Sequence, residues 1–411
     1  MEHVKTIKVM LRWSEDQQLP VGELVQYDRR ILFKYHPEIL DRNLSLSPIK
    51  LPLTKEVVDM SAFSFDGLAG VFNDSLPDGW GRLLLDRKLT AMGLPFQQLT
   101  PLDRLTYVGQ NGPGALVYYP EMEQESTTTQ VLLEQWEHEC NEIYDGASSD
   151  LLESLFQAGG SSGGARPKVN LLYKPKSDTL RKGNVAEEGE EHWLIKFPSS
   201  LDMSDISNVE YAYYLMAQEA GIFMSPCRLF FGESGKPYFG TKRFDRIGNH
   251  RLHMHSASGL MHDNFRLSNM DYGHLMDGAF QLQKDVRCYE DVLRLATFNI
   301  FGHNRDDHSK NFSFLMDQKG TWTMAPAYDL TFSNSGHGFH STMVAGESQN
   351  PGSKHIKELA KYFSVNNVNQ IIEQVKDTLS NWPQFANQAG VTEASKKAIA
   401  KTINGLLVER W

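Results

Sequence analysis

The sequence predicts an α+β protein organised in three parts, and three observations point there. Short alternating apolar runs crowd the first 120 residues, strand-like runs surround one capped helix beyond residue 151, and helical periodicity dominates from about residue 353 to Trp411. With 411 residues, 40% hydrophobic and 22% charged, the chain is globular and long enough to bury two cores.

Val4 to Trp13 and Gly22 to Tyr35 alternate as strands do, and Leu76-Pro77-Asp78-Gly79-Trp80 leads into a Leu/Arg-rich helix running to about Met92. Gly109 to Gly114 reads as a turn before the strand Ala115-Leu116-Val117-Tyr118-Tyr119. Glu121 to Thr129 is polar and linker-like, and Val131 to Asp145 is helical, so residues 1–120 form one region and 121–150 a linker and helix. From 151 to 411, strands are expected around 169–173, 192–197, 227–232 and 237–243. The charged segment Thr179 to Glu191 is expected to be a mobile surface loop. Ser207-Asn208-Val209-Glu210 has the pattern of a capping box opening a helix from Tyr211 to Ala220, closed by Gly221. Breaks in the carboxy-terminal helices are expected at Asn381-Trp382-Pro383 and Gly390.

The chemistry concentrates in Asn304-Arg305-Asp306-Asp307-His308-Ser309-Lys310-Asn311, followed by Asp329 within Ala327-Tyr328-Asp329-Leu330. An aspartate stands five residues before an asparagine, and a second aspartate 18 residues after that. A protein kinase uses this order: a carboxylate at the attacking hydroxyl, then oxygen ligands that hold hard metal ions on ATP phosphates. An apolar helix ending at Gly302 precedes the loop, and a hairpin over Phe312–Met324 with its turn at Asp317-Gln318-Lys319-Gly320 follows it. A solvated polar loop is the bland reading of the same residues.

Upstream, Gly159-Gly160-Ser161-Ser162-Gly163-Gly164-Ala165-Arg166-Pro167-Lys168 packs four glycines into six residues, where no Cβ blocks a phosphate from backbone N–H groups. It is neither a Walker A loop nor a kinase G-x-G-x-x-G, and a flexible linker has the same composition. Its cationic end, Arg166 and Lys168, and the strand Val169–Tyr173 are the parts of a phosphate-covering loop. In Trp193-Leu194-Ile195-Lys196-Phe197-Pro198 a lysine sits inside an apolar strand, costly unless an anion meets it or it snorkels to solvent.

In this order, Ser161–Lys168, Ile195–Pro198, Lys242-Arg243-Phe244-Asp245-Arg246, Asp306–Asn311 and Ala325–Asp329 resemble the HipA family of serine/threonine kinase toxins. Phe33-Lys34-Tyr35, Leu51-Pro52-Leu53 and Phe72-Asn73-Asp74-Ser75-Leu76-Pro77-Asp78-Gly79 are similar to that family's amino-terminal subdomain. The resemblance implies a two-lobed kinase-like domain over residues 151–411 and a β-rich amino-terminal subdomain. It implies ATP and Mg²⁺ as cofactors, Asp306 as catalytic base, and Asn311 and Asp329 as metal ligands. Lys196 would contact the ATP phosphates, Gly163, Gly164, Ala165, Arg166 and Lys168 would form the phosphate loop, and Lys242 with Phe244 the hinge beside adenine. His308 and Lys310 either shape the catalytic loop or touch bound groups. Ser161 falls at the family's autophosphorylated serine, with Ser162 its neighbour. The implied partners are a small helix-turn-helix antitoxin (HipB-like), DNA reached only through it, and a protein substrate for which an aminoacyl-tRNA synthetase is the family precedent. Arg166-Pro167 and the Met254–Leu260 stretch depart from the family pattern, so ribose recognition does not carry over.

Two rivals remain from the residues. His253-x-His255, His262-Asp263, His303 and His308 could be assembled into a metal-dependent phosphohydrolase, since His-x-His on a strand puts both rings on one face. A corepressor that binds DNA through an antitoxin, without turnover, is the non-enzymatic one. The formal net charge of −10 argues against broad DNA binding by this chain alone. Cys140, Cys227 and Cys288 fit no metal or redox spacing and suit buried thiols in a reducing compartment. No apolar run approaches 18 residues, so a cytoplasmic protein without a membrane span is expected.

Overall fold

The computed structural model describes residues 3–122, 130–147, 149–160, 163–335 and 338–409; Ser161, Ser162 and most of the expected linker, 123–129, lie outside them. The chain divides into two compact units: Met1–Asp202 with Phe230–His255 and Leu315–Thr321, and Met203–Leu229 with Ser256–Phe314 and Trp322–Trp411.

In the first unit, an antiparallel sheet runs Val58–Asp59, Arg30–Tyr35, Gln18–Tyr27, Thr6–Arg12, Leu116–Tyr119. Alternation works as read: Ile7, Val9 and Leu11 are wholly buried while Thr6 and Lys8 face outward. A second sheet orders Thr179–Arg181, Lys168–Lys174, Glu191–Lys196 and Pro237–Lys242. One face is apolar: Val169, Leu171, Tyr173, Trp193 and Ile195 share a core with Trp80, Leu84, Leu85 and Leu89 of the helix Gly79–Ala91. Tyr173, Trp193 and Phe230 meet edge-on with centroids 5.0–5.8 Å apart, the geometry aromatic quadrupoles favour.

The segment expected to be mobile is tied down instead. Thr179–Arg181 is a strand, Arg181 Nε donates to Glu190 Oε1 at 2.6 Å, and Ala186 exchanges two hydrogen bonds with the Asn249 side chain (2.8 and 2.9 Å). Its charges are complementary, so they pair internally.

The second unit is mainly helical. Helix Arg287–Phe301, with Phe298, Ile300 and Phe301 wholly buried, packs against Tyr272–Gln283 and Val368–Ser380. It stops at Gly302, and His303 then adopts a left-handed φ of +56° that turns the chain into the polar loop. The carboxy-terminal breaks fall where read: Val368–Ser380 ends before Trp382–Ala389, which is closed by Gly390 at φ +74°. The expected capping box does not form, because the helix Ile206–Glu219 begins earlier and encloses Ser207. Its N-cap, Asp205, spends its carboxylate on the Thr392 N–H (2.9 Å) and the Ser395 hydroxyl (2.8 Å), holding the start of the helix Glu393–Glu409, where the Thr392 hydroxyl takes the Ser395 N–H (3.3 Å) as the cap.

Candidate functional site

In the first unit the glycine loop is gripped by the start of helix Gly79–Ala91. Asp78 precedes this helix without capping it; its Oδ1 accepts the Gly164 N–H at 2.6 Å. Two residues on, the Trp80 N–H donates to the Gly164 carbonyl (2.8 Å) and the Trp80 indole to the Lys168 carbonyl (3.1 Å). Close approach is possible only without side chains: a Cβ on Gly79 (φ +44°) would stand 2.2 Å from the Gly164 oxygen. Gly164 has φ +82°, and its missing Cβ would lie 2.5 Å from Lys168 Nζ, so the ammonium sits directly under the loop. Arg166 pairs with Asp202 at 2.9 Å, and Pro167 accepts the Phe197 N–H. Gly163 and Ala165 are exposed.

Lys168 and Lys196 are register partners on adjacent antiparallel strands, so their side chains leave the same face of the sheet. They are only 7% and 9% exposed, and Lys196 Nζ lies 5.6 Å from the Phe239 ring centroid. Two largely buried lysines opposed across one strand pair put two positive side chains on one face of the sheet. Lys242 donates to Glu191 at 2.7 Å, and half-buried Phe244 follows Arg243 on the same segment.

In the second unit the two neighbouring aspartates separate cleanly. Asp307 is 1% exposed and takes the Tyr272 hydroxyl (2.9 Å), the Ser341 N–H (2.8 Å) and the Thr342 N–H (3.3 Å), with His340 Nδ1 at 3.1 Å. Tyr272 in turn accepts from Asn299, which accepts from Asn304. Burial first, then Asp307, pushes the Tyr272 hydroxyl well above its ordinary pKa, so it remains a donor. Asp306, one residue earlier, has a side chain 56% exposed. Asn311 folds back, donating its amide nitrogen to the Asp306 carbonyl at 2.8 Å, a bond that does not use Oδ1. Asp329 holds φ +57°, a conformation aspartate tolerates better than most residues. Its neighbour Tyr328 bridges the Lys310 carbonyl and the Ser313 hydroxyl, tying the Asp329 turn to the loop. His308 Nε2 lies 3.9 Å from Asp306, and both His308 and Lys310 flank the Phe265 ring (5.2 and 5.0 Å).

Asp306, His308, Lys310, Asn311 and Asp329 therefore belong to one hydrogen-bonded loop system, and Gly163–Lys168 and Lys196 to another. Sequence reasoning missed the residues that hold them: Asp307, Tyr272 and Asn299 for the first, Asp78, Trp80 and Asp202 for the second. Asp307 beside Asp306 was the available signal, since two adjacent carboxylates seldom share one job. Of the rival histidines, the His253-x-His255 pair is structural: His253 Nε2 meets the Leu46 carbonyl (3.0 Å), and His255 bridges Asp74 (2.7 Å) and Ser47 (3.0 Å). Among the described residues no three His, Cys, Asp or Glu side chains cluster as a metal site, and none of the helices is long and apolar enough to cross a membrane. Cys140, Cys227 and Cys288 are buried and none is in a disulfide.

Two family models cover most of the chain: HipA-like C-terminal domain over residues 160–404 and HipA N-terminal domain over residues 15–119. This chain belongs to the HipA family. A relative from Sinorhizobium fredii (strain NBRC 101917 / NGR234), Y4mE, carries the name of a kinase. It is 29% identical over 346 residues, spanning 79% of this chain and 77% of that protein. Among solved structures, a chain from the toxin–antitoxin complex of HipA, HipB and operator DNA of Shewanella oneidensis MR-1 aligns with a TM-score of 0.68. That alignment covers 98% of this chain and 96% of that one at 16% identity, which speaks for a shared HipA fold, α+β and kinase-like.

Proposed function

We propose that this HipA-family protein is an ATP- and Mg²⁺-dependent serine/threonine kinase, acting in the cytoplasm as the toxin of a toxin–antitoxin pair. The observation that carries this reading is the contrast between Asp307, locked inside the loop, and Asp306, held in place yet open to solvent. A base must reach a substrate hydroxyl, whereas its neighbour must keep the loop rigid. In the proposed reaction the hydroxyl oxygen attacks the γ-phosphorus as its proton passes to Asp306, and the bond to the β-phosphate breaks to release ADP.

The Asn311 amide oxygen and the Asp329 carboxylate are the hard oxygen donors that suit Mg²⁺. Bound there, the ion would neutralise charge on the phosphates. Lys168, Lys196 and the Gly163–Arg166 loop would bind the phosphates, Lys242 and Phe244 the adenine side, and His308 and Lys310 would shape the loop edge. A HipB-like helix-turn-helix protein is the proposed antitoxin, since the structural relative comes from a complex with HipB and operator DNA. DNA would then be reached only through that partner, in keeping with the net charge of −10. An aminoacyl-tRNA synthetase is the proposed substrate class, and self-phosphorylation at Ser161, or at Ser162, the proposed off-switch.

Incubation with γ-labelled ATP and Mg²⁺ tests the reading. Asp306→Asn should abolish label transfer yet bind ATP, Asp329→Asn should lose the Mg²⁺ dependence of binding along with transfer, and Lys196→Ala should weaken ATP binding itself. Unchanged transfer in Asp306→Asn would overturn the assignment.

A further inference from the structure

The sheet face that carries Lys168 and Lys196 has a second feature toward its other end. His192 lies four residues before Lys196 on the same strand and the same face, about 13 Å away at strand spacing. There a shallow, open polar cleft is lined by Asn111, Asn170, His192, Arg243, Arg246 and Arg251, among others. Three guanidinium groups line the cleft and one carboxylate lies beside them, bound by two of the three. Asp245 is shared by Arg243 (2.9 and 2.7 Å) and Arg246 (2.7 Å) and also takes the Gly114 N–H (2.8 Å). Arg251 donates to the neutral Gln110 carbonyl at 2.8 Å, and Arg12 joins the Gln110 side chain, adding positive charge nearby. His192 is 8% exposed, and its Nε2 is buried without a hydrogen-bond partner.

An orphaned imidazole nitrogen is a standing cost unless something arrives to satisfy it. Burial, then Arg243 and Arg246, pushes the His192 imidazole down to about 4, and burial, then Arg12 and Arg243, pushes Arg251 down to about 10. In both, burial is the larger cause and the neighbouring guanidinium groups add to it. Guanidinium forks match phosphate oxygens in pairs, and the open mouth of the cleft lets an anion approach them from solvent. We propose that this cleft is a second anion site, taking a phosphate group either as the free ion or on a small molecule such as a nucleoside monophosphate. It stands on charge and geometry within one unit and does not depend on the kinase reading.

The test is a titration of inorganic phosphate into the full chain in chloride buffer at pH 7, by calorimetry and by NMR of the imidazole nitrogens. The wild-type His192 signals, assigned through their loss in His192→Gln, should shift on titration. Lys196→Ala should leave that shift intact, whereas Arg251→Gln should weaken it about tenfold or more. Adenosine monophosphate moving the same signals at lower concentration than phosphate would identify a nucleotide ligand, and the reverse order the free ion. His192 signals unmoved at saturating phosphate overturn the proposal, as does an Arg251→Gln variant that binds like wild type. Should Arg251→Gln fail to fold, the wild-type His192 signals alone decide.

Discussion

Replacing Asp307 by alanine, beside the same change at Asp306, separates the two carboxylates by opposite outcomes. Asp307→Ala strands the Ser341 and Thr342 N–H groups in a site where the parent side chain is 1% exposed, and deprives Tyr272 and His340 of their partner. Each buried unpaired donor costs about 1–3 kcal/mol, and a water entering the vacated space recovers part of it, so the net loss is on the order of 3–5 kcal/mol. For a unit of this size that lowers Tm by on the order of 10 °C. Asp306→Ala removes a half-open side chain and should change stability by no more than about 0.5 kcal/mol while phosphoryl transfer disappears. Urea midpoints, Tm and label transfer measured on both variants give the comparison. Equal destabilisation by the two changes, or an Asp307→Ala protein as stable as wild type, would refute the division of labour.

Gly79→Ala should displace the phosphate loop, because its Cβ would fall 2.2 Å from the Gly164 oxygen at a φ of +44°; ATP affinity should fall about tenfold or more, read by equilibrium binding. Gly164→Ala should act similarly, because its φ of +82° is one that L side chains rarely adopt, and Lys168→Ala added to it should therefore recover little. Stability should decline on acidification between pH 6.5 and about 4. The folded values of His192 (about 4) and His253 (about 3) lie below the unfolded one, so the unfolded chain takes up protons first. The stabilisation is complete above pH 6.5 and is lost as pH falls, at up to about 1.4 kcal/mol per pH unit per histidine, and His192→Gln should flatten the slope of urea midpoint against pH. Co-expression with a HipB-like protein should yield a complex that shifts operator DNA, while the isolated chain should not; a shift by the chain alone would contradict the charge argument.

Period and punctuation made most elements legible. Alternation gave Thr6–Arg12 and Arg30–Tyr35, and Pro383 with Gly390 bounded the late helices. The helix start at Ile206 was not legible, because the Ser207-x-x-Glu210 pattern is local whereas Asp205 is claimed by Thr392, nearly 190 residues away. Charge content misled at Thr179–Glu191: a run of charges reads as solvated until its signs pair with each other. Asp306, Asn311 and Asp329 were singled out by their spacing and by the family resemblance of the motifs around them. The opposition of Lys168 and Lys196 was not, since strand register is set by turns and burial rather than by any motif.

The hold of Asp78 and Trp80 on Gly164 has a mechanical consequence. The helix they begin is rooted through Leu84, Leu85 and Leu89 in the same packed interior as Trp193 and Ile195, so it cannot slide by an ångström without dragging the glycine loop along. A ligand or inhibitor seated against that helix would thus have a remote lever on phosphate capture, without ever competing for the nucleotide.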